Sequence, residues 1–133
     1  MYNFRKSKAG FTLIELMVVV AIIGILSLLG LRLYTGQQNK AKEAIVKANV
    51  GTAQTLVQAE LADGALSDEA EAVNIAKAGG MHNPFGNTDT VIDSDDNAVA
   101  GAVRVTMSTT SYFTFRGLDA DGELFGDTLT AQR

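Results

Sequence analysis

The sequence has no cysteine and no tryptophan, and it has one proline and one histidine among its 133 residues. The absence of cysteine excludes disulfides, thiol catalysis and thiolate metal sites. The lone His82 has no second histidine for a metal site, and neither a serine–histidine–acid set nor a phosphate-binding loop is visible. We therefore expect a chain that is not an enzyme.

Positive charge is also scarce, and most of it is scattered. The formal net charge is −4, from 11 basic and 15 acidic residues. Arg5, Lys6 and Lys8 precede a long apolar run, whereas most of the acids come after residue 60. An acidic domain with few clustered cations makes nucleic acid an unlikely partner.

The long apolar run covers residues 11–31. A helix of that length spans about 30 Å, the thickness of a hydrocarbon core. The basic residues before it predict a cytoplasmic N-terminus in a membrane-anchored chain. A cleaved secretory signal fits poorly, because no small-residue cleavage pattern follows the run.

Glu15 is the only charged residue in that run. A carboxylate in a membrane helix costs about 2.5–3.5 kcal/mol by insertion scales, so it needs a partner. A cut between Gly10 and Phe11 would create an α-amino group on Phe11, four residues before Glu15. That cation could pair with Glu15 of its own helix or of a neighbouring copy. In the second case Glu15 would promote assembly, because it pairs with the Phe11 amine of a neighbouring copy.

The stretch "KAGFTLIELMVVVAIIGIL", with the basic leader before it, resembles the N-terminus of type IV prepilins and of type II secretion pseudopilins. The resemblance implies a class III leader that a prepilin peptidase removes after Gly10. It further implies N-methylation of Phe11 and a role for Glu15 in recruiting subunits to a growing fibre. Many type IV pilins have a proline where this sequence has Arg32, so the resemblance is incomplete there.

The resemblance also implies the cellular location of the chain and its partners. The precursor would lie in the inner membrane with its N-terminus in the cytoplasm. The pilus assembly machinery would then build a homopolymer through the N-terminal helices, as an extracellular pilus. Four segments are expected: a leader at 1–10, a transmembrane and assembly helix at 11–31, an amphipathic half of the same helix at 32–62, and a globular head at 63–133.

The second half of the long helix is predicted from apolar residues at three- and four-residue steps. This stripe comprises Ala41, Ala44, Ile45, Ala48, Ala53, Leu56, Val57 and Leu61, widened by Val46 and Val50. The helix is expected from about Phe11 to about Leu61, with Gly64 as its stop. An apolar stripe of this kind packs on a small domain.

The head is expected to hold one short helix and a sheet. Ser67 as N-cap and Gly79–Gly80 as stop predict a helix over 67–80. Alternating residues predict strands over 89–93, 98–108 and 111–117. An antiparallel sheet laid across the long helix is the simplest packing. The expected fold class is therefore α+β and pilin-like.

Two acidic segments stand out in the head. The segment "DSDDN" at 93–97 is interpreted as a solvated hairpin loop. The segment "DADGE" at 119–123 has oxygen ligands at alternate positions, as calcium loops do, but lacks the full twelve-residue pattern. A plain turn is the alternative. If calcium binds, its ligands would be Asp119, Asp121, Glu123 and Asp127; no other cofactor is expected.

Three functions remain open at this stage. The first is a structural subunit of a type IV pilus. The second is a pseudopilin of a type II secretion system in a periplasmic pseudopilus, with calcium as its ligand. The third is a pilin for DNA uptake, which would need folding to gather Lys77, Arg104, Arg116 and Arg133 into one basic patch. Conduction through stacked aromatics is poorly supported, since only Phe11 and Tyr34 lie on the long helix.

Overall fold

A computed structural model describes residues 10–64, 66–109 and 111–133 of the chain. Two helices, α1 (Leu13–Asp63) and α2 (Glu69–Ala78), precede all four strands. The strands are β1 (Val91–Ile92), β2 (Val103–Thr109), β3 (Tyr112–Leu118) and β4 (Leu124–Gln132). The chain divides after Gln37 into two compact units, and the boundary falls inside α1.

The first unit contains the apolar part of α1. The helix continues through Gly24 and Gly30, and its large apolar side chains from Leu13 to Leu33 are exposed. Its most apolar window has a mean hydropathy of 2.7, and none of that window is buried. By length and composition α1 can cross a membrane. The expected long N-terminal helix is confirmed.

In the second unit, one stripe of α1 forms part of the core. Its buried members are Val46, Asn49, Val50, Ala53, Val57 and Leu61. The expected stripe was wrong in its first half, because Ala41, Ala44, Ile45 and Ala48 are exposed. The buried stripe follows the branched valines instead. Asn49 can join it because its Nδ2 donates a hydrogen bond to the His82 carbonyl at 2.9 Å.

The helix α2 has a different N-cap from the one expected. Asp68, not Ser67, caps it: the Asp68 Oδ1 accepts the Glu71 N–H at 2.7 Å. Ser67 lies one residue earlier, and its N–H and hydroxyl donate to the Glu71 carboxylate at 3.0 and 3.1 Å. The Glu71 side chain therefore fixes the backbone just before the first turn of α2. Gly79 is the C-cap, as expected.

The sheet has the strand order β1-β2-β3-β4. The pairs β2–β3 and β3–β4 are antiparallel, whereas β1 pairs parallel to β2. The sheet is therefore mixed, and the expected wholly antiparallel sheet was wrong at β1. The segment 93–97 lies on the crossover between parallel strands, not in the expected hairpin. Gly101, two residues before β2 in this crossover, has a left-handed φ of +80°.

Strand β4 was not predicted from the sequence. Its residues do not alternate simply, because the pairing with β3 shifts register between Phe115 and Gly117, and Gly126 has a left-handed φ of +75°. Such a bulge breaks the period-two pattern by which strands are recognised. Opposite it, Gly117 leaves space for the Phe125 ring: a Cβ there would meet the Val46 side chain at 2.7 Å and that ring at 3.0 Å.

The core lies between the inner face of the sheet and the two helices. One core cluster joins α1, α2 and the sheet. Its members include Val50, Ala53, Val57 and Leu61 of α1, Ala72, Val73 and Ala76 of α2, and the sheet residues Val103, Val105, Phe113, Phe115 and Ala131. A second small cluster joins Ile92, Ala102 and Leu118. The described part of the head is thus organised around one apolar layer.

The turn before the sheet is held by the buried side chain of Asn83. Its Nδ2 donates to the carbonyls of Asp89 (2.8 Å) and Ala100 (2.9 Å), and its Oδ1 accepts the Phe85 N–H at 2.9 Å. Asn83 is only 1 % exposed. Because Gly101 has no Cβ, the Asn83 side chain can lie directly against it. The Asn83 side chain thus links Asp89, which precedes β1, to Ala100, which follows it.

We expect Asn83→Ala to destabilise the head by about 3 kcal/mol, because it leaves buried main-chain groups without partners. The slowest main-chain amides of β3 would then exchange with solvent about a hundredfold faster in the detergent-solubilised chain. The matched control is Asn87→Ala, since the exposed Asn87 donates to the same Ala100 carbonyl at 2.8 Å. Equal effects of the two variants would contradict the role given to Asn83.

Candidate functional site at the start of the long helix

The predicted cleavage site lies in non-helical chain just before α1. Gly10 and Phe11 are both exposed, and Phe11 is 86 % exposed. An exposed segment outside a helix is accessible to a protease. The predicted leader, apart from Gly10 itself, lies outside the described residues.

The fold does not require a glycine at position 10. Gly10 is not among the glycines with positive φ, and a Cβ built there meets nothing within 4 Å. Gly101 and Gly117 differ, because a Cβ at either would come within 3 Å of a neighbouring side chain. If glycine is required at position 10, the requirement would therefore come from an enzyme that recognises this segment and not from the fold.

Thr12 begins the helix. Its Oγ1 accepts the Glu15 N–H at 3.3 Å, and its carbonyl accepts the Leu16 N–H at 3.3 Å. Thr12 therefore acts as the N-cap of α1, for which a threonine hydroxyl is well suited. The spacing Thr12–Glu15 also fits a capping box.

The Glu15 side chain lies in the exposed first turn of α1. Among the residues that the structure describes, the reverse capping-box bond from the Thr12 N–H to the Glu15 carboxylate is not formed. A negative charge near a helix N-terminus is favourable. Its carboxylate is thus exposed on the apolar half of α1, with no role in the core of the second unit.

The calcium candidates are not gathered into a metal site. Asp119 Oδ1 accepts the N–H groups of Asp121 and Glu123, each at 2.9 Å, and so closes the turn before β4. Asp127 lies within β4 itself. No group of three or more potential metal-ligating acids or histidines occurs in the ranges that the structure describes. Calcium binding stays a prediction.

A cleft of about 150 Å³ in the head is lined by Lys47, Val50, Gly117, Phe125, Gly126, Asp127 and Leu129. The Lys47 Nζ lies 5.8 Å from the centroid of the Phe125 ring, as a cation–π contact. The lining contains no hydroxyl, thiol or histidine. Lys47 therefore has a packing role there.

Folding brings two of the four scattered cations together. Arg104 and Arg116 are direct partners in the β2–β3 register. Lys77 lies in α2, and Arg133 follows β4 with its guanidinium beside Gly64. The pairing of the two arginines was missed from the sequence, because twelve residues and a turn separate them. It could have been found by aligning the two predicted strands as a hairpin.

We expect Thr12→Val to loosen the start of α1 by about 1 kcal/mol, because the valine cannot accept the Glu15 N–H. Exchange of the Glu15 amide in micelles would then speed up about fivefold. Thr35→Val is the matched control, since the Thr35 hydroxyl donates to the Arg32 carbonyl at 3.0 Å within the helix. No change at Glu15 in the Thr12 variant would exclude the capping role.

Comparison with known proteins gives one family match and several relatives that match part of the chain. Residues 5–31 match the family described as the prokaryotic N-terminal methylation motif. The chain is 47 % identical over 57 residues to the fimbrial protein EcpB of Eikenella corrodens, covering 43 % of this chain and 36 % of that protein. It is 38 % identical over 65 residues to the type IV major fimbrial protein FimA of Dichelobacter nodosus, covering 49 % and 41 %.

A third relative extends the match into the head. Fimbrial protein Q of Moraxella bovis is 36 % identical over 82 residues, covering 56 % of this chain and 52 % of that protein. The chain thus spans about a third to a half of the curated relatives that it matches. No solved structure matches it. The chain is thus similar, over part of its length, to type IV fimbrial proteins, and its residues 5–31 match the N-terminal methylation motif.

Proposed function

We propose that this chain is a structural subunit of an extracellular type IV pilus, assembled from the inner membrane through α1. The observation that carries the proposal is the exposed apolar surface of α1 with a single carboxylate at its start. An apolar surface of this extent is not stable in water and needs a membrane or a partner. In a fibre, the same half of neighbouring subunits covers it.

A prepilin peptidase prepares the subunit by cutting between Gly10 and Phe11. The open space at Gly10 supports this assignment, because the fold itself places no demand for glycine there. Cutting creates a cationic amine on Phe11, directly before the cap residue Thr12. Methylation of the amine keeps its positive charge.

The Glu15 carboxylate then pairs with the Phe11 amine of a neighbouring subunit. In the membrane the unpaired carboxylate costs about 2.5–3.5 kcal/mol, and docking beside an amine removes much of that cost. A charge pair also fixes register, which apolar contact alone does not. The pair would thus select the position at which a subunit joins the fibre.

The relatives favour a pilus over the two alternatives. Those compared above are all named fimbrial proteins, and two of them cover about half of this chain or more. A periplasmic pseudopilus would gain support from calcium binding by Asp119, Asp121, Glu123 and Asp127. Capture of DNA would need a wider basic surface than Arg104 and Arg116 alone provide.

Processing is tested by Gly10→Leu in the native cells. The precursor should stay uncut in the membrane, whereas the normal chain should give an N-terminal peptide that begins at methylated Phe11. Mass spectrometry of membranes and of sheared surface material measures both. Gly36→Leu is the control, because Gly36 also has open space but lies within α1.

The location of the peptide separates the functions. Abundant methylated peptide in the sheared fraction supports a surface pilus. The same peptide in membranes alone favours a pseudopilus, and a chain that still starts at Met1 in both fractions contradicts the proposal.

Assembly is tested by Glu15→Ala. Membrane insertion should remain, because the change removes a buried charge, while the yield of sheared fibres should fall at least about tenfold. Glu60→Ala is the control, since it removes a carboxylate from the same helix but outside the apolar run. Normal fibres from Glu15→Ala would refute the pairing with the Phe11 amine.

A further inference from the structure

Arg104 of β2 and Arg116 of β3 lie directly opposite each other in the antiparallel register. We call them the arginine pair. Their chain neighbours Val103, Val105 and Phe115 are fully buried against the helices. Because side chains alternate along a strand, both arginines project from the other face of the sheet. Thr106 and Thr114 form the next pair on that face.

Like charges directly opposite in a sheet are destabilising. Each arginine has only one hydrogen bond within the described part of the chain, to a main-chain carbonyl: Arg104 Nη2 to Asp96 at 3.2 Å and Arg116 Nη2 to Leu124 at 3.5 Å. The Nε atoms of both are enclosed and have no hydrogen-bond partner. Because these Nε atoms are enclosed, an anion that serves both cations would bind the Nη groups of the two half-buried guanidiniums.

We propose that the arginine pair binds the acidic loop Asp93–Asn97 of a second copy of this chain. The inference rests on the proposed function, because it describes a contact between the heads of two subunits in the fibre. Carboxylates are the natural partners of guanidinium groups, which they bind through two parallel hydrogen bonds.

The acidic loop is suited to this contact because it is exposed and already ordered. Asp95 and Asp96 are exposed, and the Asp93 Oδ1 accepts their N–H groups at 3.0 and 2.8 Å. The Ser94 N–H donates to the Glu69 carboxylate, which also accepts the Met107 N–H at 3.1 Å. Two carboxylates are thus presented on a loop in which three successive main-chain N–H groups are already hydrogen-bonded, so little ordering entropy is lost on binding.

The two surfaces are different groups of residues that adjoin on the same unit. The acidic loop follows β1, the arginine pair lies on the outer face of β2 and β3, and Arg104 donates to the Asp96 carbonyl between them. A contact between two different surfaces is heterologous and can repeat from copy to copy without closing. This repeating arrangement is the one that the proposal assigns to the fibre.

A nucleic acid fits this surface less well. A polyanion binds by neutralising many phosphates, and the pair supplies two cations. The acidic loop is next to Arg104 through the Asp96 carbonyl, and the turn Asp119–Glu123 is next to Arg116 through Leu124. A long nucleic acid would pass these acids, whereas a short loop can contact the arginines alone.

The test uses two charge-reversed full-length variants in the native cells. One carries Arg104→Glu with Arg116→Glu, and the other carries Asp95→Arg with Asp96→Arg. Each alone juxtaposes like charges at every contact, so its yield of sheared fibres should fall about tenfold or more. Co-expression of the two should restore the yield, because alternating copies are complementary at both surfaces.

The mixture separates the proposal from a folding defect or a contact within one chain. A misfolded head, or a lost contact inside one subunit, would not be repaired by the other variant. If either variant alone makes normal fibres, or if the mixture stays as poor as its parts, the proposal is wrong. If the unchanged chain makes no fibres, the proposed function itself fails. DNA binding that only the arginine variant abolishes would assign the pair to nucleic acid instead.

A second measurement does not depend on the stability of the arginine variant. The chain has no native cysteine, so single cysteines report cleanly. Cells that co-express Asp95→Cys and Thr106→Cys subunits should give a disulfide-linked dimer from oxidised fibres. Asp89→Cys with Thr106→Cys is the matched control, because Asp89 is exposed but outside the acidic loop. Equal yields from both mixtures would overturn the proposal.

Discussion

The second unit depends on one stripe of α1, from Val46 to Leu61, for the cover of its sheet. The inner face of β2 and β3 carries Phe113, Phe115 and two valines, all fully buried. The short α2 contributes three buried side chains, so it cannot cover this face alone. A small domain buries a low fraction of its surface and is marginally stable. The part of α1 from Val46 to Leu61 is therefore needed to cover the sheet of the head.

The elements predicted from the sequence were those whose residues keep a regular period. The long helix, α2, β2 and β3 satisfy this condition, and the strand predicted over 89–93 contains the two-residue β1. The strand β4 fails it because of the bulge opposite Gly117, and the parallel pairing of β1 depends on Asn83 and not on any pattern within Val91–Ile92. Asn49 and Asn83 look like surface residues in a sequence. Only their long-range carbonyl partners explain why they are buried.

The N-terminal site stays a prediction, and its basis differs from that of the head. It was inferred from Glu15, a carboxylate within an apolar run. A carboxylate in such surroundings is costly, so it needs a partner that offsets the cost. The N-cap bond of Thr12 adds a local reason for the start of α1 at Leu13. By contrast, the arginine pair depends on the β2–β3 register, because neither arginine is unusual by itself.

On the proposed assembly, the two units make different kinds of contact. Apolar contact between helices is strong but non-directional, so many registers along α1 have similar energy. Charge pairs are directional, and a wrong register leaves one of them unmatched. The Glu15–amine pair would set the register at one end of the subunit, and the arginine pair would set it at the head. The long helix would supply the affinity, while a few charged groups would determine the geometry of the fibre.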